Sequence, residues 1–182
     1  MRIKMPAFTS IARAIVCAIS LAYFVAAPSA AQEMKVGDLV LTQLWSRATP
    51  SGAKVAAGYL TIENKGSAPD RLVSASASIG KAEIHEMATT NGVMTMRPLE
   101  SGLVIAPGQK VTLAPGGIHL MLTDLKEPLK EGEMLRVTLK FEKAGPLDAT
   151  FHIRSFGAQG PGDAAGKPGN AKAMEGHSGM KM

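Results

Sequence analysis

Cysteine is almost absent from this chain of 182 residues, with Cys17 the only one. Cys17 lies in an N-terminal stretch that reads as a secretory signal. Arg2, Lys4 and Arg13 precede the apolar run Ala14–Ala27, and Pro28-Ser29-Ala30-Ala31 supplies small residues for signal peptidase. Residues 1–31 are therefore expected to be a leader cleaved after Ala31, with Ala30 as the alternative, and the protein is expected in the periplasm. The run of fourteen apolar residues falls short of the roughly 20 that a spanning helix needs, so no membrane anchor is expected after processing. Leu21 follows Cys17, and no folded domain begins at lipoprotein distance from it, which argues against a lipid-anchored cysteine. The mature chain then has no thiol. That excludes disulfides, cysteine-based catalysis, cysteine zinc sites and blue-copper electron transfer.

Aromatics are also scarce, at 4% of the chain. Beyond the leader they are Trp45, Tyr59, Phe141, Phe151 and Phe156, too few for an adhesion module that recognises its target through exposed rings. Positive charge is modest once the leader is removed, because 17 basic residues then face 15 acidic ones. No basic run is interleaved with aromatics, which excludes nucleic acid as a partner. No serine–histidine–acid arrangement, phosphate-binding glycine loop or paired acidic motif stands out, so the protein is expected not to be an enzyme.

Long helical periodicity is missing too. Residues 33–155 read instead as a β-domain of nine short runs: Leu39–Trp45, Val55–Ile62, Arg71–Ala77, Ala82–Met87, Leu103–Ile105, Lys110–Leu113, Ile118–Leu122, Met134–Phe141 and Ala149–Ile153. Turn residues separate them, among them Asn91-Gly92 and Ala114-Pro115-Gly116-Gly117. This pattern predicts a sandwich or barrel large enough to bury a core without disulfides. From Gly157 the composition shifts to Gly, Ala, Pro, Gln and Asn, so residues 157–182 are expected to be a flexible linker and tail. The tail ends in Met174-Glu175-Gly176-His177-Ser178-Gly179-Met180-Lys181-Met182.

Histidine and methionine are what the chain does have, in a repeated arrangement. His85 and Met87 are two residues apart, as are Met94 and Met96, and His119 and Met121. Residues i and i+2 of a strand share a face, so each pair points one way. A lone methionine usually packs into a core, and a lone strand histidine is usually hydrogen-bonded structure. Two histidines that each have a methionine at i+2, next to glycine-rich turns, are a different matter. Imidazole and thioether together favour copper, Cu(I) especially, because thioethers bind Zn(II), Mg(II) and Ca(II) weakly. Such neutral ligands suit holding a soft ion and passing it on. His152 has no methionine at i±2 and reads as surface or structural.

The spacing His85–x10–Met96–x22–His119–x–Met121, ending in Gly-Gly-Ile-His-Leu-Met-Leu, resembles the PCuAC (DUF461) family of periplasmic copper chaperones. The resemblance extends over about residues 36–153, through Trp45-Ser46-Arg47-Ala48-Thr49-Pro50, Ala56–Ile62 and Met94–Pro98. It implies a cupredoxin-like Greek-key β-sandwich that binds Cu(I) through His85, Met96, His119 and Met121. It also implies delivery of copper toward the CuA centre of cytochrome c oxidase subunit II, directly or with a Sco-type thiol copper protein. Family spacing selects Met96 over Met94, and Met87 is expected to pack beside the site. Met174, His177, Met180 and Met182 are expected to capture a second copper, with Cu(II) a candidate. The chain is expected to be a monomer. Copper sequestration without an oxidase partner and copper redox catalysis are the competing readings.

Overall fold

The structure, a computed structural model, describes residues 33–90 and 92–162. The expected leader and its cleavage site, and the tail cluster Met174, His177, Met180 and Met182, lie outside these residues. Eleven strands make up the described domain: β1 (Met34–Val36), β2 (Leu39–Arg47), β3 (Ala56–Asn64), β4 (Asp70–Ala77), β5 (Gly80–Thr90), β6 (Val93–Pro98), β7 (Leu103–Ile105), β8 (Lys110–Leu113), β9 (His119–Thr123), β10 (Met134–Phe141) and β11 (Gly145–Arg154). All nine expected strands are present. The two additional ones are the short edge strand β1 and the hairpin strand β6.

Hydrogen-bonded neighbours run β1-β2-β11-β10-β4-β5-β9-β3-β8, and a further β2–β3 pairing closes the sheet into a barrel-like sandwich. Every pair is antiparallel except β11 with β2, where His152 lies beside Trp45. Alternation along the strands sends Leu41, Ile62, Leu72, Leu120, Leu122, Leu139 and Phe151 into one core, all fully buried. The other face of the sheet is then available for chemistry.

Two local features shape that outer face. The register between β2 and β3 slips between Thr42 and Trp45. Gln43 there has φ +56°, the left-handed conformation that a bulge residue adopts. The slip reverses the alternation, so Leu41 and Leu44 both reach the core while Trp45 turns outward. There its ring meets Tyr59, with centroids 4.6 Å apart. This explains why Leu44 and Trp45, adjacent in the chain, are both buried but in different clusters. The second feature is the β5–β6 hairpin, closed by the pair Thr90–Val93. Gly92 in its turn has φ +78°, a conformation that glycine adopts without steric cost.

Residues 157–162, expected to be flexible linker, pack against this face at their start. Ala158 is only 2% exposed beside Trp45 and Tyr59. Arg47 clamps the segment by donating from Nε to the Ala158 carbonyl at 2.6 Å and from Nη2 to Gln159 Oε1 at 3.2 Å. Composition marked the glycines and prolines here but not the one alanine that fits an aromatic cleft.

Asp70 ties the start of β4 to the β10–β11 turn. Its carboxylate accepts hydrogen bonds from the backbone N–H groups of Arg71, Lys143 and Ala144 at 2.7, 3.0 and 2.9 Å. Burial is the largest single influence on this group and opposes ionisation. The three N–H donors and the Lys143 charge outweigh it and hold the carboxyl below its ordinary range. A pKa that is lower when folded means the native state binds the proton more weakly. The resulting stability is complete above an unfolded-state pKa of about 3.9 and is lost as pH falls through the folded value. Chemical denaturation from pH 7 down to pH 2 should therefore show a fall in stability beginning near pH 4. Asp70→Ala should cost about 1–3 kcal/mol at pH 7 and flatten that fall.

Candidate metal centre

The site begins with the pairing of β5 and β9. His85 lies directly opposite His119, and Glu83 directly opposite Met121. Because i and i+2 share a face, Glu83, His85 and Met87 on β5 and His119 and Met121 on β9 project from one side. Their neighbours Ala82, Ile84, Leu120 and Leu122 are buried in the core, which fixes that side as the outer one. On the other edge of β5, Met87 is opposite Met96 and His85 is opposite Pro98. Met94 is two residues further toward the hairpin turn, again on the same face. Three separated sequence segments thus bring His85, Met96, His119 and Met121 to the same face, with Met96 toward the hairpin and Met121 on the far side of the histidine pair. Met87 lies in the same patch, between His85 and the hairpin tip.

The two imidazole rings are 6.2 Å apart between centroids and inclined at 45°. An ion about 2 Å from one nitrogen of each ring permits centroids up to about 6.4 Å apart. The separation lies just inside that limit, which is reached when the ion is in line with both nitrogens. His119 is only 5% exposed, and the His85 side chain is 14% exposed. Met121 and Met87 are half-buried, whereas Met96 is 48% exposed and Met94 59%. The centre is therefore dry on its histidine side and open on its hairpin side.

Hydrogen bonds set which nitrogen of each ring is free. His119 Nδ1 lies 3.0 Å from the Gly117 carbonyl, which can only accept, so Nδ1 carries the proton and Nε2 keeps its lone pair. His85 is turned the other way. Its Nε2 lies 3.0 Å from Glu83 Oε2, and its Nδ1 is buried with no hydrogen-bond partner among the described residues. The carboxylate accepts from Nε2, leaving the Nδ1 lone pair bare. A buried acceptor without a partner is uncommon and calls for an explanation. A soft cation on that lone pair supplies one.

Among the described residues no group of three or more His, Cys, Asp or Glu could hold a metal. The other soft donors on this face are the methionine thioethers, which disfavour zinc, magnesium and calcium. Two contributors were not singled out from the sequence. Glu83 orients His85, and the Gly117 carbonyl orients His119, in the way that outer partners fix metal-binding imidazoles. The Glu83-x-His85 spacing was a usable signal for the first; nothing in the sequence marks a particular carbonyl. His152, paired with Met134 across β10–β11 and lying beside Trp45 on β2, is half-buried and belongs to a different part of the sheet.

The strap at residues 155–162 reaches the same neighbourhood. Gln159, Gly160 and Pro161 line a groove together with Trp45, Ala114 and Pro115. Ala114 opens the turn that leads to Gly117 and His119. Ala57 of β3 sits opposite Met121 and packs on the Trp45–Tyr59 pair.

Comparison with known proteins fits this arrangement. The family model described as "Putative lipoprotein LpqE-like" matches residues 39–153. The chain belongs to this family, that of the PCuAC (DUF461) domains. A protein of Leifsonia xyli subsp. xyli, "Putative lipoprotein Lxx21020", is 33% identical over 143 residues, 77% of this chain and 81% of that protein. Among solved structures, the apo PCuAC domain from PmoF1 is 37% identical with a TM-score of 0.58, covering 68% of this chain and 99% of that one. The copper-bound PCuAC domain from PmoF2 is 26% identical with a TM-score of 0.58, covering 68% and 98%. The fold is thus the all-β sandwich of the PCuAC domains.

The tautomers are directly measurable. In the metal-free protein, long-range 15N–1H correlations of the neutral rings should show His85 protonated at Nε2 and His119 protonated at Nδ1. Glu83→Gln, whose amide can present either oxygen or nitrogen, should blur the first assignment and leave the second unchanged. The same tautomer at both rings in the wild type would contradict the geometry.

Proposed function

We propose that this protein is a periplasmic copper chaperone that holds Cu(I) through His85 Nδ1, His119 Nε2, Met96 and Met121. The observation that carries the reading is the His85–His119 pair, opposite each other across β5 and β9, with a bare buried nitrogen on His85 and methionines on the same face. Membership of the PCuAC family and the copper-bound relative support copper as the cargo. The oxidation state follows from the ligands. Two thioethers and two neutral imidazoles stabilise the soft monovalent ion and need no proton loss to bind it. Met96, exposed at the rim, is the ligand a receiving protein reaches first, and this suits hand-over more than turnover.

The rest of the assignment builds on that site. The acceptor is the CuA centre of cytochrome c oxidase subunit II, reached directly or through a Sco-type thiol copper protein, whose thiolates outcompete thioethers for Cu(I). The protein works as a monomer, without catalysis of its own. Its relatives' description as lipoproteins supports an envelope location, and cleavage after Ala31 makes the mature form soluble in the periplasm. The tail residues Met174, His177, Met180 and Met182 take a second copper, with Cu(II) a candidate there. The strap held by Arg47 starts this tail on the side of the core that carries the site.

An anaerobic Cu(I) titration against a competing chelator tests the core site. A chain ending at Gly162, which keeps the Ala158 anchor, should bind one tight Cu(I). His119→Ala and Met121→Leu should each weaken it by at least the roughly 10–100-fold that loss of an outer partner costs at metal sites. Absence of tight Cu(I) binding in this form would overturn the proposal. The chain ending at Met182 should hold one copper more, and equal stoichiometry in the two forms would remove the tail site. In cells, deletion of the protein should lower cytochrome c oxidase activity under copper limitation. Unchanged oxidase activity together with lost copper tolerance would favour sequestration.

A further inference from the structure

The four proposed ligands leave Met87 and Met94 unused, although the fold places both on the ligand face of the β5–β6 hairpin. Met87 is directly opposite Met96, and Met94 is opposite Thr89. Met94 and Met87 are therefore diagonal neighbours. Directly opposed Cβ atoms are about 4.5–5.5 Å apart and diagonal ones about 7–8 Å, within the reach of long side chains. Met94 and Met96, two residues apart along β6, are separated by about 7 Å. The three thioethers form a triangle small enough for flexible methionine side chains to meet on one ion.

The surroundings favour a soft-metal role over packing. Every residue of β6 is exposed, and among the described residues β6 pairs with β5 alone. Met94, at 59% exposure, covers no core. The opposite face of the hairpin is polar, with Arg97 donating to Glu86 at 2.8 Å. Sulfur is thus confined to the side that leads to His85. Met96 belongs to both groupings, so an ion held by Met87, Met94 and Met96 is already bound to one ligand of the inner site.

We propose that Met87, Met94 and Met96 form an outer, sulfur-only Cu(I) site through which copper enters and leaves the inner one. This inference rests on the inner Cu(I) site of the proposed function. Copper passes by ligand exchange. Met96 stays bound while the thioethers of Met94 and Met87 are replaced by His85, His119 and Met121. Copper remains Cu(I) throughout, no proton moves, and the donor or acceptor leaves with its own ligands. Three thioethers bind Cu(I) more weakly than a set containing imidazoles, so the outer site fills briefly and the inner site holds the ion at equilibrium.

The test separates rate from affinity. Met94→Leu removes the sulfur and keeps the bulk of the side chain, and Met87→Leu does the same. Each should leave the inner Cu(I) stoichiometry unchanged and its affinity within about twofold. Stopped-flow transfer of Cu(I) to and from a chromophoric chelator should slow by about tenfold in Met94→Leu. In the His85→Ala/His119→Ala double variant, Cu(I) should still shift the 13C ε-methyl signals of Met87, Met94 and Met96. Wild-type transfer rates in Met94→Leu, or an unshifted Met94 methyl in the double variant, would overturn the outer site while tight Cu(I) binding in the wild type stands. Loss of tight binding in the wild type would instead remove the inner site. A drop in inner affinity of tenfold or more in Met94→Leu would make Met94 an inner ligand and refute the proposal in that way.

Discussion

The antiparallel register of β5 on β9 is the constraint on which the site depends. It sets His85 opposite His119 and, in the same stroke, Glu83 opposite Met121. A slip of one residue would turn every side chain of β5 to the other face and bury Glu83, His85 and Met87 in the core. The register is held by what lies beneath it. Ile84 and Ala82 on β5 and Leu120 and Leu122 on β9 are buried, and exposing them would cost several kcal/mol at the usual value of roughly 1.5–3 kcal/mol per large apolar side chain. The apolar core therefore acts on the chemistry indirectly, by denying the strands any other alignment.

Above that core the face is graded. Its histidine end is nearly dry, and each ring is fixed by an acceptor supplied from its own strand or turn. Its hairpin end is open, built on a strand that has a single neighbour among the described residues. Hydrogen-bonded rings beside exposed sulfurs leave the proposed site oriented at its nitrogens and accessible at its hairpin. The aromatic side of the molecule supports this from behind. The bulge at Gln43 turns Trp45 outward to stack with Tyr59, Ala57 links that pair to Met121, and Ala158 covers it.

Much of this was legible in the residues. The nine strands followed from alternation and turn chemistry, and the i, i+2 pairing of His85 with Met87 and His119 with Met121 placed each pair on one face. The lack of any cysteine beyond Cys17 narrowed the metal from the sequence alone. What was not legible depended on long-range register. Nothing local states that residue 85 faces residue 119, or that Met96 meets Met87. Strand β6 is not among the nine runs, although Met94 and Met96 share a strand face, because Val93–Pro98 is exposed throughout and carries no alternation toward a core. The strap escaped notice because its anchor is one small residue in a segment otherwise rich in glycine and proline. The reversal at Gln43 was hidden because no residue type there marks a positive φ.

The central claim is that one ion is held jointly by nitrogen from two strands and sulfur from two more positions. X-ray absorption at the copper edge of the anaerobically loaded protein tests it most directly. The account predicts a Cu(I) edge with two nitrogen neighbours at about 2.0 Å and two sulfur neighbours at about 2.3 Å. Histidine multiple scattering should come from both rings. A first shell of nitrogen and oxygen alone, or of sulfur alone, would contradict it.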